Sequence, residues 1–198
     1  TQAAKRSRRA PWFANTNLTT PRAGASIAII GGGVAGASLA HELAAAGYAP
    51  TIIDPAGIAA GASGNPAGLI MPRLDFDDGP PARFLRTAYG HALSVVAELE
   101  AALGETFFNP CGVLLRAITD DDRDRQEKIL AARLLPEDFA LAQGGGLFFP
   151  QAGVIDPAEF CRALAQGAPL ITRAAISISS DDDAVSISLD GGESLRFD

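Results

Sequence analysis

Ile27-Ala28-Ile29-Ile30-Gly31-Gly32-Gly33-Val34-Ala35-Gly36 is the stretch whose reading decides the fold. Its first four residues are a short apolar run closed by glycine, the pattern of a buried parallel strand. Helical spacing follows. Val34, Leu39 and Leu43 are separated by alanines, Ala40 and Leu43 pack the helix, and Gly47 stops it. Thr51-Ile52-Ile53 then reads as a second strand, ended by Asp54-Pro55. A strand, a helix and a strand within about thirty residues is the size a right-handed crossover needs.

The glycines at the first strand–helix junction follow the pattern G-x-G-x-x-G, and Asp54 lies 23 residues after Gly31. Together these are the signature of a dinucleotide site. Gly31 permits the tight turn, Gly33 removes a side chain where a pyrophosphate approaches, and Gly36 lets helix and strand pack closely. The helix N-terminus offers unpaired N–H groups and a positive dipole to phosphates, so Ala35 joins the glycines as a candidate contact. Asp54 is placed to accept both ribose hydroxyls of an adenosine, and a carboxylate there repels a ribose phosphate. FAD or NAD is favoured over NADP. A second small-residue loop, Gly61-Ala62-Ser63-Gly64-Asn65 before Gly68-Leu69-Ile70, fits a long cofactor lying across the sheet edge and favours FAD. Ser63, Gly64 and Asn65 are its candidate contacts.

Outward from this core, residues 1–25 read as a linker, with Pro11-Trp12-Phe13 as an apolar island expected to dock on a folded surface. Residues 26–80 read as the first part of an FAD-binding dinucleotide fold. Residues 81–160 read as a helical segment and part of a substrate domain, and 161–198 as an incomplete return to the first fold. The expected class is α/β: a Rossmann-like, doubly wound sheet with part of an inserted α+β domain. Pro80 to Leu103 has helical periodicity through Phe84, Leu85, Ala88, Leu93, Val96 and Leu99. Gly112 to Ala117 and Leu147 to Phe149 read as strands, and Thr119 caps a helix opened by Asp120 to Asp122. Asp156-Pro157-Ala158-Glu159 starts another helix. Alternation over Ile176 to Ser180 and Val185 to Leu189, then Asp190-Gly191-Gly192 turning into Ser194 to Phe197, predicts antiparallel strands.

Composition bounds the function. The 198 residues are 47% hydrophobic and 20% charged, as in a globular domain with a core. The net charge of −7 does not attract nucleic acid by itself. No apolar run approaches the roughly 18 residues of a membrane span. Cys111 and Cys161 lie outside any metal-ligand spacing and read as free buried thiols, which suits the cytoplasm; no metal is expected.

The dinucleotide motif with Asp54, the Gly61-to-Asn65 loop and Gly153-Val154-Ile155-Asp156-Pro157 before a helix resemble the D-amino-acid oxidase and glycine oxidase superfamily. Within it, Lys5-Arg6, the linker to Pro11-Trp12-Phe13 and the Gly-Ala-Ser-Gly-Asn loop resemble the MnmC family of bifunctional tRNA wobble-uridine modification enzymes. Phe148-Phe149-Pro150-Gln151-Ala152-Gly153 is similar to that family's tyrosine-proline-glutamine-glycine-glycine stretch, with Phe149 and Ala152 as departures.

The resemblance implies an FAD-dependent oxidoreductase acting on a CH–NH group. Its reaction removes the carboxymethyl group from carboxymethylaminomethyl wobble uridine in tRNA. The resemblance also implies a methyltransferase fused upstream. The family's later strand and its C-terminal glycine-rich segment have no counterpart here, and a parallel sheet opened at Ile27 calls for more strands. The chain is therefore expected to be truncated at its C-terminus, inactive alone, and to meet tRNA through other parts. Ala175, at the start of the Ile176 strand, is a candidate backbone contact to the adenine. No catalytic base stands out: His41 and His91 lie on helices, and Arg73 after the small-residue loop is a candidate partner for a substrate carboxylate. Other readings remain. They are a free-standing glycine or D-amino-acid oxidase, a non-catalytic flavin- or nucleotide-binding module, and an NAD-dependent dehydrogenase.

Overall fold

The computed structural model describes residues 21–75, 77–133, 139–181 and 184–198. In chain order the elements are β1 (Ser26–Ile30), α1 (Val34–Ala45), β2 (Ala49–Ile53), β3 (Gly68–Ile70), α2 (Pro80–Leu103), β4 (Phe108–Asn109), β5 (Val113–Arg116), α3 (Asp120–Ala132), β6 (Leu141–Gln143), β7 (Gly146–Phe149), β8 (Gly153–Ile155), α4 (Pro157–Leu164), β9 (Leu170–Ile171), β10 (Ala175–Ser180), β11 (Val185–Leu189) and β12 (Ser194–Phe197). A 3₁₀ turn over Ala62–Gly64 precedes β3. Lys5, Arg6 and Pro11-Trp12-Phe13 lie outside the described residues.

The expected crossover is present. β1 pairs parallel with β2, and β2 pairs parallel with β9, giving the order β1-β2-β9. Alternating side chains divide these strands between two cores, because successive residues of a strand point to opposite faces. Ile29 and Ile52 join α1, α4 and the second half of α2. Ala28, Ile53 and Ile171 join Ile187, Leu189 and Phe197 of the antiparallel meander β10-β11-β12. The described part of the parallel sheet is thus Rossmann-like but not doubly wound: helices cover one face and a β-meander the other. The two-residue β9 and the serine-rich alternation of β10 and β11 leave no helical segment for that second face. Gly191 and Gly192, both at positive φ, make the turn between β11 and β12. Asp198 ties the meander back to β1, accepting from the backbone N and hydroxyl of Ser26 and pairing with Arg22.

The helix faces differ in detail from their apolar spacing. On α1 the buried residues are Ala37 and Ala40, while Val34 and Leu39 are about half exposed. Small residues face the sheet because the helix lies close to β1. On α2 the core face is Val95, Val96 and Leu99, and Phe84 in the first half is 70% exposed. Cys161 is fully buried in the α1–α4 core, but Cys111 is exposed, correcting its reading as a buried thiol. It sits in the loop after β4, with no core behind it.

A second small core lies apart. Leu74, Ile129, Leu147, Phe149 and Ala152 pack α3 against the antiparallel sheet β5-β7-β6. Thr119 caps α3 in a capping box with Asp122. Between the two cores runs the sheet β3-β8-β4, and Asp156 caps α4 as its sequence predicts. Of the stretch 81–160, then, α2 and α4 pack with the dinucleotide unit, and only the stretch from β5 to β7 forms the separate layer. No described helix is long and apolar enough to cross a membrane.

Two glycines make opposite predictions. A Cβ at Gly36 would collide with the carbonyl oxygen of Gly31, whereas one at Gly90, inside α2, meets nothing within 4 Å. Gly36→Ala should lower unfolding stability by at least about 2 kcal/mol through overpacking. Gly90→Ala should raise it by about 0.5–1 kcal/mol through helix propensity. Denaturant titration of the two variants measures both.

Candidate cofactor-binding site

The junction between β1 and α1 is built around its glycines. Gly31 takes φ +111°, a conformation that L side chains rarely adopt, and its N–H donates to the Ile53 carbonyl at 2.9 Å. Gly33 is the N-cap of α1 in extended conformation and offers no capping side chain. A Cβ there would stand 3.2 Å from the Ser63 hydroxyl, on the open side of the turn. The N–H groups of Gly33, Ala35 and Gly36 have no acceptor among the described residues. Val34 and Ala35 are exposed, so this end of the helix faces solvent. Unsatisfied N–H groups and the positive end of the helix dipole thus meet at one exposed spot, the arrangement that binds phosphate. A pyrophosphate-bearing cofactor fits these residues.

The small-residue loop folds back onto this junction. Ser63 lies in the 3₁₀ turn and its hydroxyl accepts the Val34 N–H at 2.9 Å. Gly64 is needed for the turn itself, because a Cβ there would collide with the Ala59 carbonyl. The Asn65 side chain is exposed beside it. Residues the sequence reading passed over complete the support. Ala59, at φ +58°, donates its N–H to the Gly32 carbonyl at 2.8 Å and so fastens the loop to the glycine turn. Cys161, on α4, packs beneath the loop; burial pushes its thiol pKa up, and the Ser63 hydroxyl opposes this. A cleft of about 340 Å³ continues from the junction, lined by Val34, Ser63, Asn65, Gly68, Ile155 and Phe160 among others. Ala59 was illegible because an alanine at positive φ carries no sequence signal.

The remaining candidates fall in different places. Ala175 begins β10 and packs against the core formed by Ile53, Ile187, Leu189 and Phe197, on the meander side of the parallel sheet. His91 is exposed and bonds Glu42 at 2.8 Å, tying α2 to α1 two turns beyond the phosphate-facing end. His41 lies on α1, partly buried. Arg73 lies away from the junction, in a cavity beside α3.

Asp54 holds the corner together. Oδ2 accepts from the Gly32 N–H at 2.8 Å, and Oδ1 from the N–H groups of Ala56 and Gly57 at 2.9 and 3.1 Å. The Gly32 bond, with those from Ala56 and Gly57, holds its pKa below the usual aspartate value against the opposing effect of burial. A carboxyl with a lowered folded pKa contributes stability above its unfolded value, near 3.9, that is lost as pH falls through the folded one. Asp54→Asn should therefore cost about 1–2 kcal/mol of stability at pH 7. The gap from the parent chain should close as the pH is lowered below about 4. Denaturant titrations across that range read the difference directly.

Comparison with known proteins agrees with this geometry. Residues 26–193 match the FAD dependent oxidoreductase family. The chain is 36% identical over 184 residues to the tRNA 5-methylaminomethyl-2-thiouridine biosynthesis bifunctional protein MnmC of Ectopseudomonas mendocina, covering 86% of this chain and 27% of that protein. To the MnmC of Methylobacillus flagellatus it is 36% identical over 168 residues, covering 77% of this chain and 25% of that protein. The chain thus spans about a quarter of the length of these relatives. Among solved structures, glycine oxidase from Bacillus cereus superposes with a TM-score of 0.68 at 23% identity, covering 85% of this chain and 53% of that one. Iminodiacetate oxidase from Chelativorans superposes at 0.62 and 22% identity, covering 85% and 52%. The fold is shared with these oxidases, and the chain belongs to the FAD dependent oxidoreductase family, whose cofactor is FAD.

Proposed function

We propose that this chain holds the FAD of an enzyme that removes the carboxymethyl group from carboxymethylaminomethyl wobble uridine in tRNA. The observation that carries the reading is the 36% identity to MnmC proteins over most of the chain. Those relatives are named for the biosynthesis of 5-methylaminomethyl-2-thiouridine in tRNA. On this reading tRNA is the partner, a methyltransferase domain precedes the oxidoreductase, and the reaction belongs to the cytoplasm. The dinucleotide fold takes residues 26–80 and 161–198, with α2 and α4 packed on it, and within 81–160 the layer from β5 to β7 contributes to the substrate side.

Each residue has a task in the proposal. The N–H groups of Gly33, Ala35 and Gly36 receive the pyrophosphate at the start of α1, and Gly31 holds the turn that aims them. Asp54 keeps its bonds to Gly32, Ala56 and Gly57 and accepts ribose hydroxyls on its remaining lone pairs. Ser63 and Asn65 line the path from pyrophosphate to flavin along the cleft, Gly64 shapes the turn between them, and Ile155 and Phe160 give the cleft apolar walls. Ala175 offers backbone to the adenine beside Ile53. Bound FAD supplies the two-electron acceptor for oxidising the amine CH–NH bond, after which water releases glyoxylate and leaves the aminomethyl base. An amine gives up hydride only when unprotonated, and a dry cleft lowers its pKa toward that state.

Two measurements test the reading. Gly33→Val places a branched side chain over the phosphate-facing N–H groups, so FAD affinity should fall at least about tenfold, near 1.4 kcal/mol. Full-length protein loaded with FAD should release glyoxylate from tRNA carrying carboxymethylaminomethyluridine and none from free glycine. Glyoxylate from glycine with the tRNA left unchanged would assign a free-standing amino-acid oxidase instead. FAD bound with no turnover of either would assign a binding module.

A further inference from the structure

The second core is not filled. Between α3 and the sheet β5-β7-β6 lies a cavity of about 380 Å³ that shares no lining residue with the cofactor cleft. Its floor is apolar and rigid: Leu147 and Phe149 are 1% exposed, Ile129 6% and Leu74 8%. Three arginines are among its lining residues: Arg73 after β3, Arg116 at the end of β5 and Arg125 on α3. Arg73 and Arg116 make no hydrogen bond or ion pair among the described residues. Among the described residues Arg125 donates to the Leu74 carbonyl and pairs with Asp75, both at 3.4 Å, and its charge also acts on Asp122.

The one acid among the lining residues is Asp122, and its Oδ2 is engaged. It accepts the N–H groups of Thr119 and Ile118 at 2.9 and 3.2 Å, with the Thr119 bond foremost in holding its pKa down. Other acids, Asp75, Asp121 and Asp124, line an adjoining outer cleft together with Lys128, Arg73 and Arg125. Three arginines against one ionised aspartate leave the inner lining with excess positive charge, and the acidic rim works against a molecule carrying several negative charges. A volume in the usual range of ligand pockets, apolar lining and a few convergent charged groups are the marks of a small-molecule site. Arginine's planar fork matches a carboxylate in two parallel hydrogen bonds.

We propose that this cavity is a second ligand site, distinct from the cofactor cleft, for a small monocarboxylate with an apolar body. The carboxylate meets Arg73 and Arg116, and the apolar body rests on Leu147, Phe149 and Ile129. The site stands independently of the flavin chemistry.

Calorimetric titration of the 198-residue chain with 3-phenylpropionate tests it, with 3-phenylpropanol and uridine monophosphate as comparison probes. The acid should bind with a dissociation constant near or below about 1 mM. The alcohol and the nucleotide should bind at least about tenfold more weakly, a difference of 1.4 kcal/mol. Arg73→Gln with Arg116→Gln, both exposed positions, should leave the unfolding transition unchanged and weaken the acid at least about tenfold. Absence of heat with the acid, equal binding of acid and alcohol, or undiminished binding in the double variant would each overturn the proposal. Tighter binding of the nucleotide than of the acid would overturn the monocarboxylate assignment.

Discussion

At Gly36 the first helix lies so near the preceding strand that a side chain would strike the Gly31 carbonyl. That close approach governs the rest. It requires Gly31 to turn at positive φ and small residues, Ala37 and Ala40, on the helix face toward the sheet. It also leaves the helix start bare, with Gly33 as an N-cap that has no side chain to donate to. The resulting row of unsatisfied N–H groups is the candidate site for a pyrophosphate. Asp54 and Ala59 then fasten the loops on either side to the same few backbone atoms, Asp54 through the Gly32 N–H and Ala59 through the Gly32 carbonyl.

Among the described residues the sheet behind this junction has three strands, and both of its faces are used. Ile52 and Ile53 are neighbours in sequence but belong to different cores, one under helices and one under the β-meander. The meander is fastened to β1 by Asp198, which reaches Ser26, and by backbone bonding between the same two residues. The corner carrying Asp54 is thus supported from two directions.

How much of this was legible depended on whether a signal was local. The glycine turn, the acid after β2, the Thr119 and Asp156 caps and the Gly191-Gly192 turn follow from backbone conformation or capping at single positions, and each appears where its residues place it. The covering of the second sheet face was not legible, because alternation in β10 and β11 announces strands without saying what they pack on. Helix faces were read only in part: Leu39 and Phe84 satisfy an apolar period yet point outward, since closeness to the sheet selected alanine on α1 and a different stripe on α2. The two-residue strands β4 and β9 and the three-residue β3, β6 and β8 are too short to carry a period. Ala59 and the pairing of Ser63 with Val34 are tertiary facts with no local signature.

The most direct test of the account is amide hydrogen exchange of the 198-residue chain with and without FAD, read residue by residue. Protection on adding FAD should appear first at the Gly33, Ala35 and Gly36 N–H groups, with the Gly32 amide, already held by Asp54, changing little. FAD binding that left those three amides exchanging as before would contradict the claim that the bare start of α1 is the pyrophosphate site.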